Sequence, residues 1–284
     1  MQRRKRHTSP IERALWLVES RLAEEMSLNG VAAEIGISSY YLTRAFAAAT
    51  GRSFMRYARG RRLTEAVRSL LSSDTELIQV ALDHGYATHA TFTRAFRKEF
   101  GIPPDAFRKN PTSYSLKLTE PLQMDKSKPI ELPPPRFETR EQFVIAGLLA
   151  HYSFEASEGI PDQWRRFAPH IGHVEGQLGP ETYGVSCNFS RKGEFDYITG
   201  VRVIAAIKNT PELSSIAVAP ARYAVFTHPS HVVDLHRTQY AIWNVWMPQS
   251  GRRISTAPNF ELYHEDFDPV TGMGKIEIWM PLES

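Results

Sequence analysis

The fold of the first third of the chain is decided by a stretch that occurs twice, as VAAEIGISSYYLTRAFAAATG at residues 31–51 and as VALDHGYATHATFTRAFRKEFG at residues 80–101. The tetrapeptide Thr-Arg-Ala-Phe stands at the same depth in both copies, starting at Thr43 and at Thr93. Each copy has the pattern of a short helix that ends at a glycine and is followed by a helix with apolar residues at helical spacing. The repeat therefore predicts two helix-turn-helix units.

The second helix of each unit is predicted to have a capped start and a polar face. Thr88 in one copy, and Ser38 or Ser39 in the other, can accept hydrogen bonds from the free N–H groups of the first turn. Arg44 and Arg94 occupy matched positions on the two polar faces. An arginine-bearing face on the second helix suits insertion into the major groove of DNA.

Other helices are predicted around the two units. Ser9 and Glu12 have the spacing of a capping box, with Pro10 at the first helical position. Residues 54–71 form a long apolar and basic pattern at helical spacing, and Pro103 with the next proline opens a last short helix. The region is predicted to be all-α, with about seven helices.

Charge is unevenly distributed along the 284 residues. Residues 1–110 carry 18 Lys+Arg against 11 Asp+Glu, a net of +7, whereas residues 111–284 carry 16 against 20, a net of −4. Fifteen of the 18 basic residues are arginine, which favours phosphates and guanine edges. On charge alone, a nucleic-acid-binding module and an ordinary solvated basic surface remain equally open.

Composition also limits the class of protein. Hydrophobic residues make up 42% of the chain, and no apolar run approaches the ~20 residues of a membrane-spanning helix. A single cysteine, Cys187, cannot form an internal disulfide. These features argue against a disordered chain, a disulfide scaffold or a membrane protein, and predict a cytoplasmic protein.

Residues 9–109 resemble the DNA-binding domain of the AraC/XylS family of bacterial transcription regulators. Besides the two copies of the repeat, the resemblance is carried by RYARGRRLTEAVRSLL and by GIPPDAFR after the second copy. It implies that both second helices enter successive major-groove segments of double-stranded promoter DNA, and it makes RNA polymerase an expected partner. The DNA-reading residues that it implies are Tyr40, Thr43 and Arg44 in the first unit and His89, Thr91, Thr93, Arg94 and Arg97 in the second. Residues 47–49 depart from the family, since they are alanines where relatives often have lysine, which predicts weaker backbone anchoring there.

Residues 111–136 are polar and rich in proline, with three consecutive prolines at 133–135, and residues 111–128 are predicted to be the linker. This composition predicts a connector rather than a packed element. It divides the chain into a DNA-binding domain at residues 1–110 and a second domain at residues 129–284.

The second domain shows a β-α-β-β order twice. The predicted elements are residues 143–150, 161–171, 183–189 and 197–204 in the first half, and residues 223–228, 231–246, 260–267 and 275–282 in the second. The fold class is therefore multidomain, with an all-α double helix-turn-helix domain followed by an α+β domain of two related halves. A seam between such halves is a natural place for a ligand pocket.

Residues 129–284 resemble the GyrI-like small-molecule-binding domain, through short stretches such as FVIAGL, ETYGVS, FDYITGVRV, ARYAVFTH and NFELYHEDF. In that family an acidic residue in the segment that matches NFELYHEDF lies inside an aromatic pocket and meets cationic ligands; here it is Glu261. The aromatic wall implied by the resemblance draws on Tyr183, Tyr197, Phe226, Trp243 and Tyr263. Alternation along residues 260–262 leaves open a Glu261 that points outward into water.

The function predicted from these observations is sequence-specific transcriptional regulation. The first domain binds promoter DNA, and the second senses a small hydrophobic compound, either neutral or cationic. No P-loop, GxSxG or HExxH motif is present, and we predict no enzyme activity, cofactor, metal site or membrane partner. Two alternatives remain: a hydrolase of drug-like substrates that uses a pocket Glu and Tyr, and a protein-interaction module.

Overall fold

Seven α-helices precede residue 110 in the computed structural model, which describes residues 9–72, 75–122, 130–154, 156–208, 210 and 212–283. They are α1 (Pro10–Ser20), α2 (Leu28–Ile35), α3 (Ser39–Thr50), α4 (Phe54–Ser72), α5 (Leu77–Asp83), α6 (His89–Phe100) and α7 (Pro104–Lys109). The chain divides into two units. One comprises Met1–Leu42 and Arg52–Asp125, and the other comprises Thr43–Gly51 and Lys126–Ser284. The predicted start of the second domain, residue 129, lies outside the described residues.

The predicted helix boundaries of the first unit are confirmed by their caps. The Ser9 hydroxyl accepts a hydrogen bond from the Glu12 backbone N–H at 3.1 Å, and the Glu12 carboxylate accepts one from the Ser9 N–H at 2.8 Å. Gly36 closes α2 with a φ of 78°, a left-handed conformation that favours glycine. Thr88 caps α6 by accepting a hydrogen bond from the Thr91 N–H at 3.1 Å.

The second helix-turn-helix surrounds an aromatic core. Phe92 and Phe96 on α6 are fully buried, and Phe107 on α7 packs with them. Buried aliphatic residues of α4 and α5, among them Leu63 and Val80, complete the cluster. Burial of one face of α6 leaves its opposite face to solvent.

The prediction of an unpacked connector is wrong for the residues that follow α7. Leu116 and Leu118 pack against the aromatic core, and the buried Thr119 donates its backbone N–H to the Thr64 hydroxyl at 2.9 Å. The Arg61 guanidinium donates to the Thr119 carbonyl at 3.0 Å. Gly60 makes this approach possible, since a Cβ there would lie 2.5 Å from the Thr119 hydroxyl oxygen. Because the segment is mainly polar, its composition does not reveal that Thr119 is buried and that Leu116 and Leu118 are partly buried.

The second unit contains one sheet of eight antiparallel strands. They are β1 (Arg136–Arg140), β2 (Phe143–Ser153), β3 (Gln177–Cys187), β4 (Glu194–Val203), β5 (Ser214–Val218), β6 (Ala221–His228), β7 (Asn259–Tyr263) and β8 (Ile276–Leu282). Their order across the sheet is β1-β6-β8-β7-β3-β4-β2-β5. The order is unchanged when the sheet is read from the other end with the two halves exchanged, so the halves are related by a pseudo-two-fold axis between β3 and β7.

The duplicated α+β architecture is therefore confirmed, with one addition. Each half begins with a further short strand that pairs with the other half. Strand β1 of the first half pairs with β6, and β5 of the second half pairs with β2. Both strands form the outer edges of the sheet. The predicted strand 260–267 ends earlier, at Tyr263, and the predicted strand 183–189 begins earlier, at Gln177.

Helices cover one face of this sheet. The first half contributes α8 (Ile160–Phe167). The second half contributes α9 (Leu235–Ala241), which continues as a π-helix at Ile242–Trp246 and ends as α10 (Met247–Ser250). The opposite face carries an apolar cluster that includes Tyr183, Phe260 and Trp279. None of the helices within the described ranges is long and apolar enough to cross a membrane.

Candidate functional site

The second unit contains an open cavity of about 510 Å³ between the helices and the sheet. Both halves of the duplication contribute to its wall, and so does the part of α3 that belongs to this unit. The lining residues are Arg44, Ala47, Ala48, Ala49, Gly51, Phe154, Ser157, Ile160, Ser186, Phe195, Tyr197, Leu235, His236, Gln239, Trp243, Glu261 and Tyr263.

Glu261 is the acidic group of this cavity. It lies on β7 with only 5% of its surface exposed. Its Oε2 accepts a hydrogen bond from the Tyr197 hydroxyl at 3.2 Å, and its Oε1 accepts one from Gln239 Nε2 at 3.0 Å. Trp164 Nε1 donates to the same Tyr197 hydroxyl at 3.2 Å, which fixes the phenol. One side chain from α8 and one from α9 thus hold the carboxylate and its tyrosine partner.

Burial sets the charge state of this carboxyl group. Desolvation raises the pKa of Glu261 to about 7, although the Tyr197 hydrogen bond and the positive charge of Arg44 act in the opposite direction. Burial also raises the pKa of Tyr197 and of Tyr263 well above the usual value of a phenol, so both stay neutral. The carboxyl group therefore changes its charge near neutral pH.

Gly184 on β3 makes the approach of Tyr197 to Glu261 possible. It is paired with Glu261 on one side and with Thr199 of β4 on the other. A Cβ at this position would lie 2.0 Å from the Tyr197 hydroxyl and 2.7 Å from Glu261 Oε2. Only a residue without a side chain leaves room for the hydrogen bond.

Arg44 lies beside this cavity with 7% of its surface exposed. Its Cζ is 4.1 Å from the centroid of the Phe189 ring and 5.2 Å from the centroids of Phe154 and Trp243. Its Nη2 donates to the Asn259 side-chain oxygen at 3.4 Å. A guanidinium within about 6 Å of several ring faces is a cation–π arrangement, so these rings already hold a cation.

Four of the six residues that the sequence assigned to the effector site lie together in the cavity: Tyr197, Trp243, Glu261 and Tyr263. Tyr183 and Phe226 are not among the residues that line it. Side chains alternate along a strand, so Tyr183, next to Gly184, faces the apolar cluster on the other side of the sheet. The Phe226 ring packs against Trp246, with centroids 4.9 Å apart. The alternative that Glu261 points outward into water is wrong, because helices cover the face of the sheet on which it lies.

Several cavity residues were missed by sequence reasoning. Phe154 and Phe195 supply aromatic wall, and their ring centroids lie 5.3 Å apart. Gln239 donates a hydrogen bond to Glu261, and Trp164, beside the cavity, donates one to the Tyr197 hydroxyl. An aromatic residue at a strand end and a glutamine on a helix carry no local signal of this role, since the role arises from contacts between distant segments.

The other candidate surface is the exposed face of α6 in the first unit. His89, Arg94 and Arg97 are exposed, and Thr93 is partly exposed with its hydroxyl 3.5 Å from His89 Nε2. The Thr91 hydroxyl is engaged in the capping box with Thr88. On α3, Tyr40 is partly exposed, whereas Thr43 and Arg44 are buried at 5% and 7% exposure.

Within the described part of the chain, no group of three or more His, Cys, Asp or Glu side chains could hold a metal ion. His228 is buried, with Nδ1 at 2.8 Å from the Thr238 hydroxyl and Nε2 at 2.9 Å from the His231 carbonyl. These contacts make His228 a structural residue.

Comparison with known proteins identifies both units. Residues 133–283 match the GyrI-like small molecule binding domain. The chain belongs to the GyrI-like family. Residues 31–110 of this GyrI-like protein also match a helix-turn-helix domain.

Three relatives extend this result. The chain is 25% identical over 271 residues to the transcriptional regulator Rob of Salmonella typhimurium, a match that covers 91% of each chain. It is 38% identical over 89 residues to the probable transcription factor PqrA of Proteus vulgaris, covering 31% of this chain and 73% of that one. It is 32% identical over 139 residues to the right origin-binding protein of Escherichia coli, covering 49% of this chain and 47% of that one. This GyrI-like protein is thus a DNA-binding transcriptional regulator with a small-molecule-binding domain, which confirms the prediction of a regulator.

Proposed function

We propose that the effector of this regulator is a flat hydrophobic cation that binds beside Glu261. The observation that carries the proposal is a buried carboxylate in a cavity walled by Phe154, Phe195 and Trp243. Desolvation of a carboxylate is costly, and an incoming positive charge offsets that cost. The rings offer faces on which a flat cation can stack.

We also propose that α3 and α6 are the helices that read promoter DNA. The exposed arginines of α6, Arg94 and Arg97, and the net charge of +7 on residues 1–110 support α6 as one reading helix. The matched position of Arg44 supports α3 as the other. A regulator bound at a promoter acts on RNA polymerase, and we extend the proposal to that partner and to the bacterial cytoplasm, where promoter DNA is found.

The effector proposal is tested with a pair of ligands that share one shape. 1-Methylquinolinium is a flat cation, and 1-methylnaphthalene is its neutral isostere. We expect the full-length protein to bind the cation at least tenfold more tightly, a difference of about 1.4 kcal/mol. Calorimetry or fluorescence titration gives both dissociation constants.

Two variants connect the preference to the carboxylate. Glu261→Gln retains the volume and removes the charge, so it should weaken cation binding about tenfold and leave neutral binding nearly unchanged. Glu265→Gln, an exposed residue four positions further on, should change neither affinity. Equal binding of both ligands by the unmodified protein would contradict the cationic effector, and so would a Glu261→Gln variant that retains the cation's full affinity.

A further inference from the structure

We propose that Arg44 occupies an aromatic cage formed by Phe154, Phe189 and Trp243, that a cationic effector must displace it, and that the displaced side chain then reads DNA. This inference rests on the proposed function of the cavity. It adds the regulation of that site.

The geometry around Arg44 is that of a bound cationic ligand. Its guanidinium lies 4.1 Å from the Phe189 ring centroid and is flanked by the rings of Phe154 and Trp243. Phe154 and Trp243 also line the cavity. The positive charge of Arg44 acts on the carboxyl group of Glu261. An external cation beside Glu261 would therefore use rings and charge that Arg44 now uses.

The segment that carries Arg44 is adapted to this position. Ala47, Ala48 and Ala49 follow it on α3 and line the cavity with small side chains. Asn244, on the π-helix, donates its side-chain N–H to the Ala45 carbonyl at 3.2 Å. Longer or charged side chains at positions 47–49 would enter the cavity, so the small side chains of this segment leave room beside the guanidinium.

A single guanidinium cannot lie in the cage and contact DNA at the same time. At 7% exposure it is withdrawn from solvent, so it cannot contact a guanine edge while it lies in the cage. DNA that recruits Arg44 empties the cage, and a cation that fills the cage releases Arg44. Binding free energies are reciprocal, so the effector and DNA must each tighten the binding of the other by the same factor.

The test measures cation affinity in three full-length variants. Arg44→Ala removes the occupant, and Phe189→Leu removes the nearest ring; Phe189 is not one of the described residues that line the cavity. We expect both to bind 1-methylquinolinium more tightly than the unmodified protein, by about tenfold for Arg44→Ala. Arg237→Ala, which removes an exposed arginine from α9, should leave the affinity unchanged.

A second measurement tests the link to DNA in the unmodified protein. Its affinity for a DNA site selected from a random pool should rise about tenfold on saturation with 1-methylquinolinium, and not with 1-methylnaphthalene. In Arg44→Ala this rise should vanish. The rise in DNA affinity of the unmodified protein can be measured even if Arg44→Ala does not fold.

The outcomes separate the two proposals. If the unmodified protein does not prefer the cation to its neutral isostere, the cationic effector itself is wrong. If the unmodified protein and Arg44→Ala both prefer the cation and bind it with the same affinity, the effector stands and the displacement of Arg44 is overturned. Weaker DNA binding in the presence of the cation would also overturn the displacement.

Discussion

The Glu261 carboxylate and the Tyr197 hydroxyl lie 3.2 Å apart across a glycine, Gly184, on the strand between them. The two side chains come from different halves of the duplication. Their contact therefore joins the halves at the centre of the sheet, where the cavity opens.

Gly184→Ala should disrupt this contact. The added Cβ would lie 2.0 Å from the Tyr197 hydroxyl, so the phenol must move away from the carboxylate. We expect cation affinity to fall at least tenfold and the free energy of unfolding to fall by about 1–3 kcal/mol. Titration and chemical denaturation measure the two effects. Gly159→Ala is the comparison variant, since its Cβ would come no closer than 3.2 Å to the Tyr152 ring; a similar loss in both variants would refute the explanation.

Cation binding should strengthen as the pH rises from 6 to 8. The pKa of Glu261 is raised by burial to about 7, so about one tenth of the carboxyl groups are ionised at pH 6 and about nine tenths at pH 8. Tyr197 and Tyr263 stay neutral over this range and Arg44 stays charged, and His236→Asn removes the histidine that also lines the cavity. Affinity should rise up to about tenfold in the unmodified protein and in His236→Asn. A similar rise in Glu261→Gln would assign the titration to another group.

Arg94→Ala should reduce DNA binding in a sequence-dependent manner. Arg94 is exposed on α6, where a bidentate contact to guanine is possible. We expect a loss of about 1–3 kcal/mol on the selected site and a much smaller loss on random DNA. Electrophoretic or fluorescence binding assays on both DNAs at one salt concentration measure the difference. Equal losses on the two DNAs would mean that Arg94 contacts phosphate only.

Thr88→Ala should destabilise α6. The Thr88 hydroxyl accepts the Thr91 N–H at 3.1 Å, and replacement of such a cap costs about 1 kcal/mol. The free energy of unfolding should fall by that amount in chemical denaturation. Thr93→Ala, a substitution inside the same helix, should be neutral or slightly stabilising, because alanine favours helix. If Thr93→Ala is the more destabilising of the two, the cap is not the source of the effect.

A fragment of residues 9–122 should be more stable than a fragment of residues 9–110. The shorter fragment lacks the backbone hydrogen bond from Thr119 to Thr64 and leaves the buried Arg61 without the Thr119 carbonyl. Loss of about 1 kcal/mol corresponds to a decrease in Tm of roughly 4–8 °C for a domain of this size. Thermal unfolding followed by circular dichroism compares the two fragments. Identical Tm values would show that the segment after α7 adds nothing to the first unit.

Local signals in the sequence predicted the helical region well. The caps at Ser9 and Thr88 and the turn glycine Gly36 each depend on residues within a few positions of one another, so the sequence records them directly. The edge strands β1 and β5 were not predicted, because they are short. Strand β1, with the sequence RFETR, also carries more charge than a buried strand does.

The site was predictable only in part, for a physical reason. Resemblance placed Glu261 among aromatic rings, and the structure agrees, yet it also named Tyr183, whose position in the two-residue alternation of β3 turns it to the other face. The hydrogen bond from Arg44 to Asn259 joins residues 215 positions apart. No periodicity or spacing in the sequence encodes such a contact, so the burial of Arg44 beside the cavity is visible only in the structure.

The outer strands tie the two halves of the sheet together at both of its edges. The strand that opens the first half, β1, pairs with β6 of the second, and the strand that opens the second half, β5, pairs with β2 of the first. Neither half can complete its own edge alone. The cavity therefore exists only in the assembled sheet, since Tyr197 comes from the first half and Glu261 from the second.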